Sequence, residues 1–226
     1  MMTVSPARRA RGAGWSSRAA GSLRLLFAEP VLRPVLLALI PLGVTLEAVN
    51  VVEIFLLRDA LGVPPEQVGI LTVALGGGAV AGSAAAGRID RAATRVRVIF
   101  AAFGAMGLLT AASGVAPSYG VLLALQASCG AANALSNGLL MALVVDRIPD
   151  ERSGDANAAL NGMARALGTV ALLLGGWLGG LIGPRPTFLL CGAVSSVIVV
   201  AVVVRRARSV TEGSSAAELT SSDAAR

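Results

Sequence analysis

The run from Val35 to Leu57, VLLALIPLGVTLEAVNVVEIFLL, constrains this chain more than any other feature. A helix crossing the ~30 Å hydrocarbon core of a bilayer needs roughly 20 apolar residues, and this run supplies them. Inside a bilayer the backbone must satisfy its own hydrogen bonds, so the run folds as a helix. Glu47, Asn50 and Glu53 interrupt it. Successive i,i+3 spacings put all three on one broad face. A carboxylate at membrane depth is costly and is rarely left facing lipid. The run therefore reads as a transmembrane helix with one face toward a polar cavity.

Five further apolar runs follow: 68–86, 98–115, 119–145, 157–182 and 188–204. Glycine, proline and charged residues mark the turns between them, at 61–66, 87–97, 117–118, 146–155 and 183–186. Hydrophobic residues make up 55% of the chain and charged residues 14%, which excludes an ordinary soluble domain. The expected organisation is a disordered basic segment at 1–14, an interfacial helix and linker at 15–33, a six-helix bundle at 34–206 and a disordered tail at 207–226. Arginines gather on one side: at the N-terminus, at Arg88, Arg91, Arg95, Arg97, Arg147 and Arg152, and at the C-terminus. Only Arg58 and Arg185 fall on the other. By the positive-inside rule this predicts a multi-pass protein of the cytoplasmic membrane with both termini cytoplasmic. The same rule accounts for the formal net charge of +6, so no nucleic-acid partner is expected.

All 19 basic side chains are arginine, and the chain has neither lysine nor histidine. Without lysine there is no phosphate-binding P-loop and no Schiff-base chemistry. Without histidine the commonest general base and metal ligand are missing. Cys129 and Cys191 both lie within apolar runs and have no metal-site spacing. No cofactor, no metal and no enzymatic activity are expected.

The six runs sort by what interrupts them. The first carries Glu47, Asn50 and Glu53, and the fourth carries Gln126, Asn133 and Asn137 at spacings of seven and four. The second and fifth are glycine-rich, with Gly76, Gly77, Gly78 and Gly82 in one and Gly168, Gly175, Gly176, Gly179 and Gly180 in the other. The third and sixth hold only Thr110, Ser113, Cys191, Ser195 and Ser196, and read as lipid-facing buttresses. The order polar, glycine-rich, plain thus occurs twice. The fourth run starts on the opposite side from the first, so the predicted fold is all-α, an inverted three-plus-three repeat of transmembrane helices.

Two loops carry a family resemblance. Gly87-Arg88-Ile89-Asp90-Arg91, with Arg95 and Arg97 following, and Asp146 to Gly154 (DRIPDERSG) resemble loop signatures of the major facilitator superfamily. The segment Leu23 to Leu36 resembles the end of that family's central loop. From Gly21 to Arg208 the chain is similar to the C-terminal six-helix half of such a transporter, nearest the drug-efflux-like branch. The loop departs from the family where Ala93 or Thr94 stands in place of a usual glycine.

Glu47 is the leading functional candidate, expected to bind a proton or a cationic substrate group. Asn50, Gln126, Asn133 and Asn137 either line the cavity as neutral hydrogen-bonding groups or tie helices together. Glu53 is expected to reach the outer interface. Arg165, on one face with Asn157 and Asn161, either snorkels to the inner interface or faces the cavity, binding an anionic group or pairing with Glu47. The resemblance implies a cytoplasmic gate at Gly87, Arg88, Asp90 and Arg91, with Asp90 bracing the start of the fifth span.

The function expected is secondary transport: proton-coupled export of a small molecule or drug by alternating access, from a half-length chain. Its partners would be the lipid bilayer, a small-molecule substrate and a second six-helix half, either a second copy or a separate chain, docked on the glycine-rich spans. The alternative is a non-transporting scaffold or regulatory subunit, or an inactive truncated transporter.

Overall fold

The computed structural model of the chain describes residues 27–147 and 150–223. The predicted basic segment at 1–14, and the interfacial helix from Trp15 as far as residue 26, lie outside the described residues.

Among the described residues, six helices are long and apolar enough to cross a membrane. They are α1 (Leu32–Phe55), α2 (Pro65–Ala86), α3 (Ala92–Gly114), α4 (Tyr119–Arg147), α5 (Asp150–Ile182) and α6 (Pro184–Asp223). α1 ends in a π turn, Leu56–Ala60. Pro65 sits at the start of α2, where its missing N–H costs nothing, with Glu66 in the first turn complementing the helix dipole. Gly62 and Gly183 adopt φ of 62° and 82°, the left-handed conformation that reverses the chain ahead of α2 and α6.

Helix boundaries run beyond the apolar runs. α5 takes in the charged stretch from Asp150 that was expected as loop, and α6 begins at Pro184, leaving Gly183 as the turn. The polar stretch from 207, expected to be disordered, continues α6 as far as Asp223. Extending an existing helix avoids the cost of nucleation, and this stretch contains no proline.

Which helices touch follows the repeat. α2 packs on α4, and α5 on α1. α3 packs on α4, α6 packs on α1, and α3 and α6 pack on each other. Exchanging α1–α3 with α4–α6 leaves this pattern unchanged, as an inverted repeat requires. Glycines set the closest crossings. A β-carbon on Gly78 or Gly82 would collide with the carbonyls of Ala127 and Ala131 in α4. One on Gly175 would strike the carbonyl of Ala48 in α1, and one on Gly179 would press on Val52. Two G-xxx-G pairs thus meet two i,i+4 pairs on the opposite repeat's first helix, which allows close backbone approach. At the centre, Gly107 of α3 faces Gly192 of α6 in the same way.

The glycine stripes expected to face a partner are not wholly free for one. Gly78, Gly82, Gly175 and Gly179 are used inside the bundle, while β-carbons at Gly76, Gly77, Gly168, Gly176 and Gly180 would meet nothing within 4 Å. Nor are α3 and α6 plain buttresses. The α3 span is 50% buried, against 11% for each of α2 and α5. Thr110, Ser113, Cys191 and Ser195 are all buried, because small side chains let α3 and α6 pack closely. α6 does expose one apolar face, including Leu190, Val197 and Val200.

Candidate functional site

α1 and α4 are equivalent helices of the two repeats, and their backbones scarcely approach each other. Between them lies a cavity of about 280 Å³. Glu47 and Asn50 line it from α1, and Gln126, Asn133, Ser136 and Asn137 from α4. Thr110 and Ser113 of α3 join them, with Phe103 and Met106 as apolar wall. The helical period produces this arrangement: residues three, four and seven apart return to one face, so each polar set forms a stripe.

Polar contacts run along and across the cavity. Asn50 Nδ2 donates to Glu47 Oε2 at 3.3 Å. Asn137 Nδ2 donates to Asn133 Oδ1, and Ser136 Oγ to the Asn133 carbonyl at 2.9 Å. Gln126 Nε2 donates to Glu53 Oε1, bridging α4 to α1. Glu53 lies six residues beyond Glu47, about 9 Å along the helix axis. It was expected at the outer interface, yet it is half-buried and held by Gln126, which is itself only 9% exposed. A buried carboxylate needs such a donor, and the facing repeat supplies it.

A second cavity of about 180 Å³ opens toward α5, lined by Leu140, Met141, Leu160, Asn161 and Met163. Leu39, Gly43, Glu47 and Asn137 line both cavities, so Glu47 and Asn137 stand at the neck between them. Arg165 lines neither. It is exposed on α5 and makes no ion pair with Glu47 or any other described residue.

α1 is also irregular at Pro41, which removes one helical N–H. Thr45 Oγ1 lies 3.0 Å from the Pro41 carbonyl and 2.9 Å from that of Leu42, and meets Ser195 Oγ of α6. This ties α1 to α6 behind the cavity.

At the end where α1 begins, the link Gly87–Arg91 joins α2 to α3. Gly87, Arg88, Asp90 and Arg91 are all exposed there, and Arg91 caps α3 in an extended conformation. Arg95, one turn into α3, fastens this link. Its Nε donates to the Ile89 carbonyl at 2.9 Å, and its Nη1 pairs with Asp146 of α4 at 2.5 Å. Arg147 pairs with Glu29 at 3.1 Å. The side chains at the start of α5, which Asp90 was expected to brace, lie outside the described residues.

Sequence reasoning did not single out Ser136, Thr110, Ser113 or the Glu53 contact. Ser136 had a readable signal, since it adjoins Asn137 and lies three residues from Asn133. Thr110 and Ser113 share a face at i,i+3, but hydroxyls can bond their own helix backbone, so the pair carried no signal that it faces a cavity.

Interlocked inverted repeats around a polar cleft, with an acid at membrane depth, define a class: membrane carriers that move a solute between two faces of a bilayer. The family model of the Major Facilitator Superfamily matches residues 12–225, and the chain belongs to that family of secondary transporters. Comparisons with curated proteins and with solved structures gave no match.

Proposed function

We propose that the chain is one six-helix half of a proton-coupled exporter of small molecules, and that Glu47 is its proton-binding or cation-binding group. The observation that carries this reading is the neck. Glu47 is exposed there to both cavities, and its one polar contact among the described residues is the 3.3 Å hydrogen bond from Asn50. Glu53 is engaged by Gln126, so Glu47 is the acid placed to exchange a proton for a cationic group. Asn50, Gln126, Asn133 and Asn137 would orient a substrate through neutral hydrogen bonds. The drug-efflux character rests on the resemblance of the two loops, Gly87–Arg91 and Asp146–Gly154. No bond is made or broken in such a cycle, so the chain is not an enzyme.

Alternating access needs a second six-helix half in the same orientation, since major facilitator halves are related by an axis along the membrane normal. A second copy of this chain or a separate chain satisfies that geometry. The sparsely buried helices α2 and α5 are the surfaces for it, and Arg165 on α5 would then face that half. By the positive-inside rule the arginine-rich end lies in the cytoplasm with both termini, and Gly87, Arg88, Asp90 and Arg91 form the gate there.

The test is efflux of a cationic dye from proteoliposomes under an imposed pH gradient. The native chain is expected to move dye and protons together. Glu47→Gln is expected to abolish coupled movement. Undiminished coupling in Glu47→Gln would remove Glu47 from the mechanism. A non-transporting subunit would show no dye movement in any form.

A further inference from the structure

We propose that the furrow between α3 and α6 on the outside of the bundle binds an anionic phospholipid, with one acyl chain lying in the furrow and the phosphate on Arg97. The furrow encloses about 840 Å³ and is lined almost entirely by apolar groups. Two small residues of α3, Ala101 and Gly104, line it, and the β-carbon position of Gly104 lies 3.9 Å from Val199 of α6. Val96, Phe100, Val200 and Val204 contribute to the rest of the apolar lining. A second hollow of about 520 Å³ shares Val200 and Val204 and ends at Arg205.

Three observations select a lipid. The furrow spans residues 93 to 104 of α3, eleven steps or about 16 Å at 1.5 Å per residue. That is about half of the ~30 Å core, the depth of one leaflet. The charge sits at one end only. Arg97 is the single charged residue lining the furrow, and it lies at the arginine-rich end of the bundle. Finally, Arg97 is not engaged. Arg95, two residues earlier, holds Asp146 and the Ile89 carbonyl, whereas Arg97 makes no ion pair or hydrogen bond among the described residues. Basic pockets between transmembrane helices at the membrane surface take anionic head groups. A second copy docked furrow to furrow about a two-fold axis along the membrane normal would set its own Arg97 against Arg97, like charge on like.

The experiment is native mass spectrometry of the full chain released from detergent micelles, titrated with phosphatidylglycerol or with phosphatidylcholine of identical acyl chains. The native chain is expected to retain one phosphatidylglycerol in preference to phosphatidylcholine. Arg97→Gln is expected to lower phosphatidylglycerol affinity about fivefold and to erase the preference. Ala101→Leu, which fills the furrow, is expected to weaken both lipids. Arg58→Gln, at the opposite end, is expected to change neither. If Ala101→Leu loses helix content by circular dichroism, Val200→Phe fills the furrow from α6 instead. An unchanged preference in Arg97→Gln overturns the proposal. So does a preference that depends on Arg97 but ignores both furrow-filling variants, since that reports head-group attraction without a seated chain. A doubled mass that a furrow-filling variant returns to monomer would place a second copy in the furrow and overturn it equally.

Discussion

Glu47 and Glu53 are the same side chain less than two turns apart on α1, yet their surroundings differ. Glu53 accepts from Gln126 across the cleft, whereas Glu47 opens to two cavities. Their substitutions should separate accordingly. Gln126→Ala leaves the Glu53 carboxylate without its donor and is expected to cost about 1–3 kcal/mol, seen as a lower melting temperature in detergent. Glu53→Gln retains a group that can still meet Gln126 and is expected to melt near the native temperature. Glu47→Gln should leave melting unchanged while stopping transport. The stripe of Gln126, Asn133 and Asn137 was legible in the sequence because helical periodicity fixes which residues share a face. The role of Glu53 was not, because periodicity gives depth along a helix but not what stands opposite. The place of Ser113 in the cavity was not legible for a related reason: its hydroxyl bonds the Leu109 carbonyl one turn back, the ordinary fate of serine in any helix.

Among the elements, the glycine-rich helices carry the sharpest contrast. Gly175 and Gly176 are adjacent, but only Gly175 meets α1. Gly175→Ala is expected to force α5 away from Ala48 and cost about 1–3 kcal/mol, as overpacking does. Gly176→Ala should be neutral or slightly stabilising, by up to about 1 kcal/mol, through helix propensity alone. Gly78→Ala and Gly76→Ala should repeat the contrast in α2, and thermal melts of the four variants check it. Composition marked these helices as glycine-rich, but choosing between overlapping G-xxx-G pairs required knowing the facing helix. The link between α2 and α3 allows a second test. The Arg95–Asp146 pair has one partly exposed member, so Asp146→Arg alone should cost at most about 1 kcal/mol, and Arg95→Asp more, because it also loses the bond to the Ile89 carbonyl. The double exchange should recover the part of the melting temperature that the charge pair supplies, but not the part from the Ile89 carbonyl, to which aspartate cannot donate.

For the molecule as a whole, six apolar runs were enough to give the fold class, because a bilayer leaves the chain few alternatives. On the second and fifth spans the inner glycines are already in use, so a docking surface there would be built from the outward-facing side chains. Exposed apolar residues remain there, Val73 and Val80 on α2 and Leu173 and Trp177 on α5. Light scattering corrected for bound lipid, combined with the dye assay on separated fractions, tests the two-half reading: monomeric fractions should be inactive and transport should follow the paired form. The exchange of partners between repeats has a further consequence, for biogenesis. During synthesis α2 enters the membrane before its partner α4 has been made, and α1 waits longer still for α5 and α6. The crossing of Ala48 with Gly175 closes a loop of over a hundred residues, which makes assembly slow relative to helix insertion. A nascent chain halted after α3 would hold three inserted helices with no settled tertiary structure, an obvious substrate for membrane quality control. Because each repeat's helices pack on the other's, neither can mature before the other.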